Sequence, residues 1–331
     1  MNLRRILCAA VAAALVSAAV SPCEASCGSA NCFLVTGTQE GLNSPGQVTL
    51  DLSFKYLPQD RMLRGSRSVD EVLVPKIDFE NRTIEPDHHR EISTLNLLGE
   101  AGLNVGVTKR STVSVVLPLY VEKRHEHFDE VGTPEEHFTN ADGTSGFGDV
   151  RVLGRYALIA GTQNLLIAGA GIKVPTGAYK LRDGEGSINE PGIQPGSGAT
   201  DYLGTLHYVH QWIPNRWEYF LSGTYQLRGE NSLDYRFGSQ TLANAGVRFS
   251  PGSRLVLSLQ LNGQGAPHDS YRGQVVDGTG SRQIALTPGI TIFGSSGIGF
   301  YAHVAVPVYQ KVNESQLVPR TALAVGLTGT F

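Results

Sequence analysis

The stretch that decides the fold is Val48-Thr49-Leu50-Asp51-Leu52-Ser53-Phe54-Lys55-Tyr56. Val48, Leu50, Leu52, Phe54 and Tyr56 share one face, and Thr49, Asp51, Ser53 and Lys55 share the other. A side-chain period of two belongs to a β-strand with one apolar and one wet face, because successive Cβ atoms point to opposite sides of the pleat. Outward from there, the same alternation recurs over 95–103, 113–121, 150–158, 166–174, 202–208, 217–227, 241–249, 255–261, 284–292, 300–308 and 323–331. With the first stretch that makes twelve strands, an even number.

The connections separate a soluble sandwich from a membrane barrel. Five are tight, at 107–111, 160–164, 213–216, 250–253 and 294–297, and carry turn residues such as Pro214-Asn215 and Pro251-Gly252. The interleaved ones are mostly longer and polar: 57–90, 122–145, 175–199, 229–234, 263–281 and 309–317. Short turns on one side and long loops on the other characterise outer-membrane barrels. The fold class expected is all-β, a transmembrane antiparallel β-barrel of about twelve strands, with short periplasmic turns and long extracellular loops. In lipid every backbone N–H and C=O must pair internally, and a closed barrel does this without an edge. Trp212, Trp217, Tyr219 and Phe249 lie beside short turns, where rings suit the membrane–water interface. Phe331 ends the sequence after alternate apolar residues, the pattern by which the barrel assembly machinery takes up such strands.

Composition narrows the classes further. Charged residues are 17% of 331, against about 25% in ordinary soluble proteins. The net charge of −3 argues against a nucleic-acid binder, and 41% hydrophobic residues argue against disorder. The longest uncharged apolar run, Ile6 to Val20, falls short of the roughly 20 residues a spanning helix needs. Preceded by Arg4 and Arg5 and followed by small residues, it reads as a secretory signal peptide, 1–25. Segment 26–45 is then an N-terminal periplasmic segment or plug, and 46–331 the barrel. In an oxidising compartment Cys27 and Cys32 read as a disulfide.

The alternation also selects a pore wall. Glu100, Asp149, Arg151, Arg155, Lys173, Glu218, Arg228, Arg248, His303 and Arg320 all fall on the polar face. Cations outnumber anions there, which favours anionic solutes unless the charges pair. His88, His89, His125, His127 and His137 fall in the first two long loops, at spacings that fit no tight metal site, so no metal and no cofactor are expected. No Walker loop, nucleophile elbow or His-Glu-x-x-His is present, so an enzyme is not expected.

Ser145-Gly146-Phe147-Gly148-Asp149-Val150, then Lys173-Val174-Pro175-Thr176-Gly177, then Gly198-Ala199-Thr200-Asp201, follow one another through a glycine-rich loop. This succession resembles the outer-membrane family named for a meta-cleavage pathway of phenol degradation. The resemblance is specific over about 145–212 and looser elsewhere. It implies a β-barrel in the bacterial outer membrane that passes small, often aromatic or hydrophobic, compounds. The Cys27/Cys32 pair and the histidine-rich segments depart from the family pattern. The function expected is a passive channel for small solutes, aromatic or anionic, with membrane lipids as its surroundings. The alternatives are a sheath or scaffold for a partner protein such as an electron-transfer lipoprotein, or a loop-based adhesion or metal-binding protein. Twelve strands about 4.8 Å apart and tilted about 40° give a backbone diameter of roughly 24 Å, too narrow once lined to pass folded proteins.

Overall fold

The computed structural model describes residues 41–331, Glu71 excepted. Residues 1–25, expected from sequence to be a signal peptide, and the Cys27/Cys32 pair lie outside the described residues.

Twelve strands carry the architecture: β1 (Val48–Arg64), β2 (Thr83–Thr108), β3 (Ser111–Asp129), β4 (Val150–Ala160), β5 (Asn164–Val174), β6 (Asp201–Ile213), β7 (Trp217–Leu227), β8 (Gln240–Gly252), β9 (Leu255–Ala266), β10 (Ser281–Phe293), β11 (Gly299–Val312) and β12 (Ala322–Thr330). Each pairs antiparallel with the next along the chain. β12 returns to β1, Leu323–Thr330 against Thr49–Tyr56, and closes the sheet. The five tight turns fall at one end of the barrel and the long connections at the other, as the sequence pattern requires.

Burial follows the alternation. Asp51, Ser53 and Lys55 are buried in the lumen, while Leu50, Leu52, Phe54 and Tyr56 are exposed. The exposed apolar face continues through Leu221, Leu257, Leu259, Leu261, Leu286, Val304 and Leu327. A belt this continuous would be an aggregation surface in water, whereas lipid tails match it. Trp217 stacks on Phe249 with ring centroids 4.4 Å apart, and Trp212 and Tyr219 stand exposed beside them next to short turns. These rings mark one interface of the belt.

Two departures from plain alternation matter for the lumen. β1, β2 and β3 run for 17, 26 and 19 residues, well past the 9–11 or so that cross a bilayer. Much of 57–90 and 122–145, read above as loop, is therefore strand. Both β2 and β3 also carry β-bulges. Gly99 pairs with Tyr120 and Glu100 with Pro118, so Leu119 is the extra residue. Below it Thr112 and Ser114 face the lumen; above it Val121, Lys123, His125 and His127 do. Val121, which the alternation groups with the lipid face, is thus buried and packs on Leu57 and Leu98. Gly148 donates its N–H to the Pro118 carbonyl at 2.9 Å, and a Cβ there would come within 2.8 Å of the proline ring. That close approach, rather than a ligand, requires the glycine. The second bulge lies higher on β2, where Glu91 pairs with His127 and Ser93 with Glu126, leaving Ile92 extra.

At the long-loop end a small sheet of Tyr235–Arg236, Ser270–Tyr271 and Gln274–Val275 packs with Ile77, Phe79, Phe237 and Val276 into an apolar cap. Among the described residues no helix is long and apolar enough to cross a membrane.

Candidate functional site

The lumen is built from the polar positions of the strands and from connection 175–200, which folds inward. Pro191–Ile193 forms a single 3-10 turn in this connection. Lys123 donates to the Gly192 carbonyl and Thr144 to that of Ile193, so strand β3 and the segment after it hold the turn inside. Gln194 braces the loop from within, donating to the carbonyls of Leu181 at 2.8 Å and Asn189 at 2.9 Å. Between this loop and the wall lies a narrow cavity of about 30 Å³, the size of a single water. Leu98, Pro118, Val121 and Phe237 supply its apolar lining, and Glu100, Asp149, Lys173, Asp201 and Arg228 its charged lining.

Lys173 organises the charged side. Its Nζ lies 2.9 Å from Asp149 and 2.8 Å from Asp201, with only 1% of the side chain exposed. Asp149 also accepts the backbone N–H groups of Gly177 at 3.0 Å and Ser197 at 2.9 Å. Asp201 accepts Gln226 at 2.6 Å and the N–H of Gly229 at 3.1 Å. Thr176 takes the Val150 N–H and donates to the Gly148 carbonyl. The three short segments quoted above for the family resemblance therefore meet at one junction, where the inward loop is tied to β4, β5 and β6.

The other wall residues fall as follows. Glu100, buried, receives Lys55 at 2.5 Å on one oxygen and Arg151 on the other. Arg155 reaches Asn104 at 2.6 Å, Ser114, and the Gly41 carbonyl at 3.3 Å. Through Asn43, which bonds Thr49 and the Thr112 hydroxyl, the segment before β1 lies against the inside of the wall near the short turns. Glu218 and Arg248 pair at 2.5 Å beside a vestibule of about 430 Å³ that opens between the short turns. Arg228 bonds Gln240 at 3.1 Å and stands over Phe237. His303 is buried beside Tyr301. Arg320 departs from the expectation. It precedes β12, its side chain is 65% exposed, and it pairs at 3.2 Å with Asp60, itself half exposed. The bulge at Gln59/Arg61 turns Asp60 outward, and Arg320 follows it. Asp51, Lys55 and Asp201 join the wall instead, which brings its cations and anions close to balance. Their positions on the wet face of the alternation were the available signal.

Above the cavity, the bulged hairpin gathers histidines that the sequence distributes over two loops. His89 and Glu91 on β2 face His125 and His127 on β3, with Asp129, Asp142 and Glu190 around them. Burial raises the Glu91 carboxyl, but the surrounding imidazoles of His125, His89 and His127 outweigh it and hold its pKa at about 2. His137 stands apart at the surface.

The profile of the family described as "Putative MetA-pathway of phenol degradation" matches residues 90–311. Among solved structures, the COG4313 outer membrane channel from Pseudomonas putida F1 is similar at a TM-score of 0.63 and 14% identity, covering 90% of this chain and 100% of that one. The P. putida toluene transporter TodX aligns at a TM-score of 0.42 and 10% identity, over 92% of this chain and 94% of that one. No curated protein matches.

Proposed function

From the premise that the chain belongs to the family described as putative MetA-pathway of phenol degradation, an outer-membrane β-barrel family, we propose that it is a passive conduit for small aromatic solutes, including those carrying a carboxylate. The observation that carries this reading is the mixed apolar and charged lining where the inward loop meets the wall, around a gap of about 30 Å³ that becomes a passage when segment 175–200 moves aside. One side offers Leu98, Pro118, Val121 and Phe237 to a ring; the other offers Arg228, which already stands 5.6 Å from the Phe237 ring. Once the gap widens, a flat apolar body with one anionic end meets both, its charge paired as burial requires. Wall cations held by Glu100, Asp149, Asp201 and Glu218 contribute little net field, so selectivity would come from the cavity more than from the whole lumen. Lipids meet the exposed belt, and Phe331 would present the last strand to the assembly machinery. A sheath around a partner protein is less favoured, because the chain's own segments 41–46 and 175–200 occupy the lumen.

The test is flux through the purified barrel in liposomes. Benzoate should pass faster than a neutral sugar of similar size, and replacing 180–195 by a short Gly-Ser linker should raise conductance several-fold and abolish that preference. If neither protein passes ions or solutes, the conduit reading fails and a scaffold role takes its place.

A further inference from the structure

We propose that the buried cluster of His89, Glu91, His125, His127, Asp129 and Asp142 is a binding site for a divalent transition-metal ion of the zinc, nickel or cobalt type. The site is built by the two bulges. On the register of the lower wall, β3 would turn His125 and His127 outward; the extra Leu119 turns them in. The extra Ile92 does the same for His89 and Glu91 on β2. Bulges of this kind re-aim side chains next to functional sites.

Within each of two adjoining triads the separations are those of ligands around one ion. A tetrahedral ion bound at about 2.0–2.1 Å keeps its ligand atoms about 3.3 Å apart. His127 Nε2 lies 3.1 Å from Asp129 and 3.3 Å from Asp142. His89 Nε2 lies 3.4 Å from Glu91, and His125 Nδ1 lies 3.6 Å from the other Glu91 oxygen. The triads His127/Asp129/Asp142 and His89/Glu91/His125 each bring one ligand atom per residue within 4.8 Å of one another. Their histidines adjoin, the His125 and His127 rings being 4.6 Å apart.

A second, independent observation points to a ligand. Asp129 is 95% buried, being 5% exposed, yet its Oδ1 has no hydrogen-bond partner, and neither does the buried Glu91 Oε2. Buried carboxylate oxygens left unbonded are costly. An ion between them and the imidazoles removes that cost. Glu190, 3.6 Å from His89, closes the cluster from the inward loop, and Lys76 borders it as the neighbouring cation. Imidazole together with carboxylate selects zinc, nickel or cobalt over calcium or magnesium, which prefer all-oxygen cages. The proposal does not depend on what the cavity below conducts.

The test uses the untagged chain folded in detergent, titrated with Co²⁺ and followed by visible absorption, then displaced with Zn²⁺. Saturable binding with the intense bands of low-coordinate cobalt is expected. The double variant His127→Gln/Asp129→Asn should lose roughly 100-fold or more in affinity, with the folded barrel verified by its heat-dependent gel mobility. His137→Gln, outside the cluster, should bind as before. If the double variant does not fold, His125→Gln alone should weaken binding at least about tenfold. No Co²⁺ uptake by the unmodified chain at roughly millimolar concentration, or unchanged affinity in the folded variants, overturns the proposal.

Discussion

β7–β9 and the upper half of the β2–β3 hairpin are both antiparallel sheet, yet they obey different rules. In β7–β9 the pairings from Trp217 to Gln226 and from Thr241 to Phe249 hold register without a break, so inward and outward positions alternate throughout, even where an apolar residue such as Phe220 faces the lumen. In β2–β3 register shifts between Glu91 and Ser93 and again between Gly99 and Glu100. The first region is bounded by lipid, where one misplaced polar group is expensive and a slip moves every side chain to the wrong face. The second begins at the upper part of the belt, where Gly99 pairs with Phe54, and rises past it, where the outer face meets water and a strand can change which face it turns inward. Period is thus kept over most of the membrane belt, and the paired breaks of β2 and β3 re-aim the side chains that build the site above it.

The largest contrast that would test this is all-or-none. Trypsin added to intact cells should cut after Arg82, in the exposed turn before β2, and should reach Lys109 and Arg110, in the turn after it, only once the outer membrane is opened. The reverse pattern would invert the orientation. Next in size is the junction. Lys173→Met leaves Asp149 and Asp201 facing each other without their cation, and unfolding in urea should show a loss of about 3–5 kcal/mol. A loss below about 1 kcal/mol would mean water reaches the junction and screens it as it does a surface pair. Leu259→Arg, on the lipid face of β9, should cost about 2–4 kcal/mol, whereas Ile92→Arg, above the belt at the β2 bulge, should stay within about 0.5 kcal/mol of the parent. Equal losses would put residue 92 in lipid and remove the distinction between the regions. The smallest effect belongs to Arg320→Ala: its exposed pair with Asp60 should be worth no more than about 0.5 kcal/mol.

The belt was legible because lipid forces a code of period two, and stretches such as 48–56 and 217–227 spell it directly. Strand number and the alternation of turn lengths follow from the same code. The bulges are not legible from period: Leu119 falls inside the apolar run 115–121, and Ile92 stands among polar residues ahead of the alternation at 95–103. Pro118 was the available sign: within a strand it argues for an edge or a bulge, because it has no N–H to donate. Alternation carried through it sets Val121 on the lipid face, whereas the bulge turns Val121, His125 and His127 inward. The gathering of Asp149, Lys173 and Asp201 was half legible. Their short segments stood out, but only the inward fold of 175–200 shows that they belong together. Arg320 failed for a related reason, since alternation was extended past the start of β12 to a residue that is no longer strand.

The seam between β1 and β12 sets the order in which the barrel can come into being. Thr49 and Thr330 meet across 281 positions of sequence, and Val48 exchanges backbone hydrogen bonds with Phe331 at 2.9 and 2.8 Å. Every other neighbouring pair in the barrel can form as a local hairpin; this one waits until the entire chain has been laid down. Until then both margins carry unpaired N–H and C=O groups that any other extended segment could seize. Contacts between distant parts of a chain are also the slow ones to form. The circle is therefore shut last, and the interval before it shuts is when the protein is most exposed to joining a neighbour instead of itself.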